Sequence, residues 1–208
     1  MKECVILATS EINDYLKKII HCGAPIIATE RGVLYAIQNN LNLVYSIGDF
    51  DSLTTLEWNF VNSSLSNVKK LNWDKDKTDL EECFEYALNE GFNKFHIITK
   101  NGNRWDHCIN NLNFLKKNKE LNITLYSANN RVYVIKKGKN QIYPTFHYIS
   151  LFPFSDDLIT TDGLYWNWVD KKVTNSDASI SNQLENKKMN AFSIHSKSGS
   201  ILVIETID

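Results

Sequence analysis

The sequence predicts an α/β fold in its first half and an all-β domain in its second half. In residues 1–127, short apolar runs alternate with segments of helical periodicity, which is typical of a mostly parallel sheet covered by helices. In residues 128–208, short runs at strand spacing are separated by turn residues, and no long helical pattern occurs. The 208 residues are enough for two compact domains, and a formal net charge of −1 provides no positive field for nucleic acid.

The order of elements in residues 1–127 predicts a sheet sandwiched by helices, in Rossmann-like layers. The predicted strands are residues 4–8, 25–29, 43–47, 95–99 and 123–126, and the predicted helices are residues 12–20, 33–39 and 54–64 and one that starts near Asp79. This last helix has a well-marked start, because Thr78 and Glu81 fit the S/T-x-x-E capping box. Gly91 is placed to end it.

Residues 128–208 predict an antiparallel β sandwich or barrel. The predicted strands are residues 132–136, 141–143, 148–152, 164–168, 191–194 and 200–204. The polar turn at residues 127–130 marks the predicted boundary between the two domains.

Several classes of protein are disfavoured by composition. No apolar run is long enough to span a bilayer, and the apolar stretch near the N-terminus is too short for a signal peptide. Four cysteines lie far apart without a C-x-x-C pair, which is neither a zinc spacing nor a disulfide framework. We therefore expect reduced thiols in a cytoplasmic protein that binds neither membrane nor nucleic acid.

Acidic residues gather where predicted strands end. Asp49 and Asp51 follow the strand at residues 43–47, a second acidic group occupies residues 74–79, and Arg104 and Asp106 follow the strand at residues 95–99. Ligands of open α/β sheets bind at the carboxyl ends of the strands. Two carboxylates at about 4 Å repel by about 4 kcal/mol at an effective dielectric near 20, and a bound cation removes this cost. These clusters therefore predict a Mg²⁺ site for phosphates, with Arg104 as a bidentate phosphate clamp.

Other interpretations of these residues are weaker. A single D-x-D is more often a turn or a helix cap, but three such clusters at successive strand ends are hard to explain in that way. The sequence has neither a Walker glycine loop nor a G-x-G-x-x-G, so the phosphate site is of another type. A catalytic pair of His107 and Cys108 is conceivable, but neighbouring helical residues point to different faces. His107 is better explained as a partner of Asp106 at a helix start.

The acidic motifs, taken together, resemble the thiamine pyrophosphokinase family. The segments that carry the resemblance are I-G-D-F-D-S at 47–52, D-K-D-K-T-D at 74–79, N-R-W-D-H at 103–107, I-S-L-F-P-F at 149–154, T-D-G-L-Y-W at 161–166 and S-I-S-N at 179–182. Their order and spacing agree with the family over nearly the whole chain.

The resemblance implies transfer of the diphosphate of ATP to thiamine, giving thiamine diphosphate and AMP. It also implies a homodimer, with thiamine held between the α/β domain of one subunit and the β domain of the other. By motif position, the implied residues are Asp49, Asp51 and Asp79 for Mg²⁺ and catalysis, Arg104 and Asp106 for the phosphates and the reacting hydroxyl, Asp76, Thr78 and Asn103 for ATP, and Ser181, Asn182 and Trp166 for thiamine.

The sequence departs from the family pattern in three loops. Glu30 stands where the family carries an aspartate, Asn103 replaces a glycine before the arginine, and Ser179 replaces a glycine before the S-N pair. Two alternatives stay open: a pyrophosphokinase acting on another heterocyclic alcohol such as a hydroxymethylpterin, and a catalytically silent thiamine- or nucleotide-binding protein. The general base is equally open among Asp49, Asp51, Asp79 and Asp106.

Overall fold

The computed structural model describes residues 1–72, 74, 77–100, 102, 104–186 and 188–208. The chain forms two compact units, residues 1–101 with 126–128 and residues 102–125 with 129–208. The segment 102–125 thus groups with the second unit, and the boundary between residues 127 and 128 stays a prediction. Among the described residues, no helix combines the length and apolar character that crossing a membrane requires.

The first unit contains a parallel five-stranded sheet. Its elements are β1 (Glu3–Leu7), α1 (Asp14–Ile20), β2 (Ile26–Ala28), α2 (Arg31–Gln38), β3 (Leu43–Gly48), α3 (Thr55–Ser64), β4 (Val68–Lys70), α4 (Asp79–Asn89) and β5 (Lys94–Ile98). The strands lie in the order β5-β1-β2-β3-β4, and each neighbouring pair is parallel. This arrangement confirms the predicted α/β class.

Helices cover both faces of this sheet. One apolar cluster joins β1 and β2 to the inner faces of α1, α2 and α3, including the buried Leu16, Val33 and Val61. On the other face α4 packs on β3 and β5, where Tyr86 stacks on Tyr45 at 3.8 Å between ring centroids and Phe84 contacts Phe95. Because all five strands are parallel, their carboxyl ends and the loops that follow them lie at one edge of the sheet.

The second unit is an antiparallel β sandwich with one helix. Its elements are α5 (Trp105–Lys117), β6 (Asn122–Ser127, whose last two residues group with the first unit), β7 (Asn130–Ile135), β8 (Gly138–Ile142), β9 (Tyr148–Pro153), β10 (Asp157–Asp162), β11 (Lys171–Val173), β12 (Ser179–Asn182), β13 (Phe192–Ser196) and β14 (Ile201–Thr206). Antiparallel pairing runs through β12-β9-β14-β7 and through β11-β10-β13-β8. Both sheets contribute to one apolar cluster, with Ile149, Val203, Phe192 and Ile194 among its buried members.

The strand predicted at residues 164–168 is wrong. Only Leu164 makes an isolated bridge, to Leu184, and the following residues form a loop that exposes Tyr165 and Trp166. The strands of this region are β10, β11 and β12. Aromatic residues favour strands in general, and here that propensity misled the prediction because the two rings lie at the surface.

Candidate active site

Three carboxylates meet at the carboxyl edge of the parallel sheet. Glu30, Asp49 and Asp79 each present an oxygen within 4.8 Å of the others, and all three are partly buried. Glu30 follows β2, Asp49 follows β3, and Asp79 is the first residue of α4. We name this set the carboxylate triad. Asp49 and Asp79 were predicted from sequence as metal-associated residues.

Two strand-end loops adopt rarely populated backbone conformations that place these side chains. Glu30 has φ 52° and Phe50 has φ 59°, values that residues other than glycine seldom adopt. One Glu30 carboxylate oxygen accepts a hydrogen bond from the Phe50 N–H at 3.1 Å, and the other accepts from the Ser52 hydroxyl. Such strained residues persist where surrounding contacts fix them, and they cluster at functional sites.

Gly48, the last residue of β3, lets the two loops approach. A Cβ atom at this position would lie 2.7 Å from the Thr29 hydroxyl oxygen and 3.0 Å from a Glu30 carboxylate oxygen. Only glycine therefore fits without displacing the residues that build the site.

Asp79 is placed by the predicted capping box. The Thr78 hydroxyl oxygen accepts from the Glu81 N–H at 3.3 Å, and the Glu81 carboxylate accepts from the Thr78 N–H at 3.0 Å. The helix therefore begins at Asp79, where the dipole of α4 and its free N–H groups stabilise negative charge.

The electrostatics of the triad fit a divalent cation. Burial raises the pKa of Glu30, and the neighbouring charges of Asp79 and Asp49 raise this pKa further, against the lowering effect of its hydrogen bonds from Ser52 and Phe50. A hard cation with carboxylate ligands would remove this mutual repulsion. The donor set of three carboxylate oxygens is therefore suited to Mg²⁺, with Glu30, Asp49 and Asp79 as the residues that would hold it.

Other residues predicted near the phosphates lie elsewhere or outside the described residues. Asp51 is exposed and is not a member of the triad, although its N–H donates to the Asp49 carboxylate at 3.1 Å. Asp76 and Asn103 lie outside the described residues. The metal and nucleotide roles of these residues, and that of Thr78, stay predictions.

Arg104 and Asp106 belong to the second unit and pair with each other at the start of α5. Arg104 Nε donates to Asp106 Oδ1 at 3.2 Å, and Nη2 donates to Oδ2. The guanidinium holds the pKa of Asp106 at about 2, so this carboxyl group is ionised at neutral pH. His107 Nε2 lies 3.9 Å from Asp106, as expected for a contact at a helix start. Both members of the Arg104–Asp106 pair are exposed to solvent.

Asn182 holds the loop that carries Trp166. The Asn182 side chain is fully buried, and its amide accepts from the Trp166 N–H at 3.1 Å and donates to the Trp166 carbonyl at 2.8 Å. Trp166 is 57% exposed, so its side chain is not part of the apolar core of the sandwich. Ser181 is exposed and has φ 53°, and its N–H donates to the Ser150 hydroxyl. Trp166 and Ser181 are therefore exposed at the surface, whereas the buried Asn182 amide holds the backbone of the loop at Trp166.

From the sequence, Glu30 was noted only as a departure from the family pattern, whereas in the structure it is a member of the carboxylate triad. Its membership of the triad could have been inferred from its position directly after a predicted strand. Thr29 was not singled out at all, because a threonine at a strand end carries no pattern that points to a site.

Comparisons with known proteins agree with this architecture. A family model described as thiamin pyrophosphokinase, catalytic domain, matches residues 16–127, and one described as thiamin pyrophosphokinase, vitamin B1 binding domain, matches residues 133–201. A protein named thiamine pyrophosphokinase from Bacillus subtilis (strain 168) is 28% identical over 165 residues, which is 76% of this chain and 77% of that protein.

Solved structures share the fold over the whole chain. The crystal structure of thiamine pyrophosphokinase from Bacillus subtilis aligns with a TM-score of 0.85 and 24% identity, covering 100% of both chains. Thiamin pyrophosphokinase from Candida albicans aligns with a TM-score of 0.76 and 17% identity, covering 99% of this chain and 89% of that one. The arrangement of a parallel α/β unit and an antiparallel sandwich is therefore preserved at low sequence identity.

Proposed function

The chain belongs to the thiamin pyrophosphokinase family, and we propose that it transfers the diphosphate group of ATP to the hydroxyethyl group of thiamine. The thiamine oxygen forms a bond to the β-phosphorus of ATP. The bond between this phosphorus and the oxygen that bridges to the α-phosphorus breaks, and AMP leaves with that oxygen. The products are thiamine diphosphate and AMP, with the hydroxyl proton released.

The carboxylate triad is the observation that carries this proposal. Three carboxylate oxygens within 4.8 Å of one another are suited to a Mg²⁺ ion that also binds the phosphates of ATP. When bound, Mg²⁺ supplies positive charge that neutralises phosphate oxygens and the charge that develops in phosphoryl transfer. Glu30, Asp49 and Asp79 would hold it, and the hydrogen bonds that fix Glu30 keep its carboxylate oriented before the substrates arrive.

Arg104 and Asp106 are proposed to act on the phosphates and the reacting hydroxyl. In the structure, the planar Arg104 guanidinium donates two hydrogen bonds to the Asp106 carboxylate. The same bidentate geometry suits phosphate oxygens. The hydrogen bonds from Arg104 hold the pKa of Asp106 low, so this carboxylate becomes a stronger base when Arg104 binds phosphate oxygens instead.

The β sandwich is proposed to bind thiamine. The exposed Trp166 ring offers a flat apolar face to the thiazolium cation, and the Asn182 amide fixes the loop that presents it. We further propose a homodimer with the thiamine site at the subunit interface, and a cytoplasmic location, which fits the lack of a disulfide among the four cysteines, all of which the structure describes.

A product assay tests this function. Purified protein is mixed with ATP, Mg²⁺ and thiamine, and the products are separated by chromatography. We expect stoichiometric AMP and thiamine diphosphate from the wild type. Asp49→Asn should lower this turnover on the order of 100-fold or more, because it removes a charge that holds the cation.

Asp14→Asn is the matched control, since Asp14 is an exposed aspartate in α1 that pairs with Lys17. This variant should retain wild-type turnover. ADP with thiamine monophosphate would mean that the β–γ bond is cut. A lack of thiamine-dependent AMP formation would point to another alcohol as the acceptor or to a catalytically silent binding protein.

A further inference from the structure

Thr29 has a buried hydroxyl group whose hydrogen bonding is incomplete. The residue is 2% exposed, and its Oγ1 has no hydrogen-bond partner among the residues that the structure describes. Its backbone is fully used, because the Thr29 N–H donates to the Leu7 carbonyl and the Thr29 carbonyl accepts from the Gly32 N–H, each at 3.0 Å. Of the hydrogen-bonding groups of Thr29, the side-chain hydroxyl is therefore the one without a partner in the part of the chain that the structure describes.

The Thr29 hydroxyl lies beside the carboxylate triad. A Cβ built on Gly48 would lie 2.7 Å from Thr29 Oγ1, 3.0 Å from Glu30 Oε1 and 3.7 Å from Asp79 Cγ. The hydroxyl and the two carboxylates thus surround the same point above Gly48. This places the unused hydrogen-bonding group at the site and not in the apolar layers of the unit.

The energetics of burial indicate that the hydroxyl serves a ligand. A buried hydroxyl without a hydrogen bond destabilises the fold, whereas valine would fill the same space without that cost. A threonine hydroxyl can donate to an anionic or water oxygen, and oxygens bound to a cation are held in fixed positions. A cation in the triad would bring such an oxygen to the place where Thr29 can donate to it.

We propose that Thr29 is a positioning residue whose hydroxyl donates a hydrogen bond to an oxygen atom on the cation held by Glu30, Asp49 and Asp79. This oxygen belongs to a water molecule when nucleotide is absent and to a phosphate group when nucleotide is bound. The proposal rests on the proposed function, because it requires a cation at the triad. Residues that orient oxygens around a metal typically change its affinity by about 10- to 100-fold.

The test measures Mn²⁺ binding by the loss of the free-ion electron paramagnetic resonance signal, with and without α,β-methylene-ATP, in each case relative to the same solution without protein because the analogue itself binds Mn²⁺. Three variants are compared with the wild type: Thr29→Val, Thr29→Ser and Ser46→Ala. Ser46 is the matched control, because its hydroxyl is also buried without a partner among the described residues, but it lies within β3 and not at the triad. Urea unfolding without metal is measured on the same samples.

We expect Thr29→Val to weaken Mn²⁺ binding by about 10-fold or more while raising the urea midpoint of the metal-free protein. Thr29→Ser, which retains the hydroxyl, should bind Mn²⁺ as the wild type does. Ser46→Ala should also raise the urea midpoint but leave Mn²⁺ affinity unchanged. If Thr29→Val weakens Mn²⁺ binding only with the nucleotide analogue, the Thr29 hydroxyl donates its hydrogen bond to a phosphate oxygen. If the variant weakens Mn²⁺ binding in both conditions, the hydroxyl donates to a water oxygen as well.

Three results would overturn the inference, and they differ from one another. If the wild type binds Mn²⁺ and Thr29→Val binds it equally well, the role of Thr29 is excluded while the metal site of the proposed function stands. If the wild type fails to bind Mn²⁺ even with the analogue, the metal site itself fails and takes the role of Thr29 with it. A lower urea midpoint for metal-free Thr29→Val would show that the hydroxyl already has a partner, which also contradicts the proposal.

Discussion

Glu30 joins two strand-end loops through a single carboxylate group. It follows β2, yet it accepts hydrogen bonds from Phe50 and Ser52 in the loop after β3. Its longer side chain, compared with the aspartate expected at this position, allows it to contact that loop while its oxygen remains within 4.8 Å of Asp49 and Asp79. The residue is held close to like charges, which favours cation binding over stability of the metal-free protein.

Replacing Glu30 should separate these two effects. We expect Glu30→Gln to raise the urea midpoint of the metal-free protein, because it removes a buried charge next to two carboxylates and retains an acceptor oxygen. The same change should lower turnover on the order of 100-fold, because one cation ligand loses its charge. Urea unfolding in EDTA and the product assay check both parts. A lower midpoint would mean that the hydrogen bonds to the charged group outweigh the repulsion.

We expect Asn182 to affect thiamine binding through the loop that it holds. The Asn182 amide forms hydrogen bonds with both the N–H and the carbonyl of Trp166, as a neighbouring strand would. Asn182 itself is fully buried and does not contact solvent. We expect Asn182→Ala to raise the KM for thiamine about 10-fold, since lost hydrogen bonds of this kind are each worth about 1 kcal/mol. The KM for ATP should change little.

A double-mutant cycle provides the control for this prediction. Trp166→Leu should also raise the KM for thiamine, and the effects of Asn182→Ala and Trp166→Leu should combine less than additively if Asn182 acts through the ring. Additive effects would instead support the direct contact between Asn182 and thiamine that the sequence predicted.

At the scale of elements, the start of α4 determines where Asp79 lies. The chain has two capping boxes of nearly identical geometry, Thr78 with Glu81 on α4 and Thr54 with Glu57 on α3. We expect Thr78→Ala and Thr54→Ala each to lower the free energy of unfolding by about 1 kcal/mol. Only Thr78→Ala should also lower turnover, because α3 carries no member of the triad.

Denaturation and the product assay on the two variants test this difference. Equal losses of turnover would show that the cap on α4 has no special effect on the site. Retained turnover in both variants would show that tertiary contacts, and not the cap, fix the position of Asp79.

Asp157, at the start of β10, fixes the turn between β13 and β14. Burial tends to raise its pKa, but hydrogen bonds from the Ser196 hydroxyl and from the N–H groups of Leu158, Ser198 and Gly199 dominate and hold the pKa at about 2. The ionised carboxylate thus accepts hydrogen bonds from the backbone N–H groups of Ser198 and Gly199 in this tight turn.

The depressed pKa of Asp157 predicts a specific pH dependence of stability. An unfolded aspartate titrates near pH 3.9, so the stabilisation is complete above about pH 4 and is lost as the pH falls through about 2. We expect Asp157→Asn to lower the free energy of unfolding at pH 7 by on the order of 1–2 kcal/mol, with allowance for partial solvent exposure. The difference from the wild type should shrink between pH 4 and pH 2. A difference that is independent of pH would assign the effect to packing.

The fold of the whole molecule could be predicted because apolar residues recur in runs and at the spacing that is typical of strands and helices. β1, β2, β3 and β5 are mostly apolar runs that each contain consecutive buried residues, and each was predicted within one or two residues. β4 was missed because it has three residues, of which two are exposed lysines. β10 was not predicted, because Asp157 and Asp162 at its ends are of a residue type that favours turns, although its threonines pair within the sheet.

The acidic residues of the site could be predicted from the sequence, whereas a site residue that is distinguished only by its burial could not. Asp49 and Asp79 are acidic residues at element ends, which sequence alone marks as unusual. The Thr29 hydroxyl becomes visible only when its surroundings are known, because a lack of partners is a property of three-dimensional packing. In the same way, the exposure of Trp166 follows from a loop conformation set by Asn182, which is sixteen residues away in the chain.

The two family-matched parts of the chain predict separate responses to the two substrates. Hydrogen exchange of the wild type should be compared without ligand, with Mg²⁺ and α,β-methylene-ATP, and with thiamine. Nucleotide should protect the backbone around residues 29–32, 48–52 and 78–81, because these loops carry the triad. Within the loop at residues 48–52, Glu30 and Asp49 accept hydrogen bonds from the N–H groups of Phe50 and Asp51. Thiamine should protect residues 164–168 and 179–183, since the Asn182 amide couples these two segments. Loops that open locally gain the most protection when a ligand orders them. If thiamine instead protected only the loops of the triad, the β sandwich would not be the thiamine-binding part, and the assignment of Trp166 would be wrong.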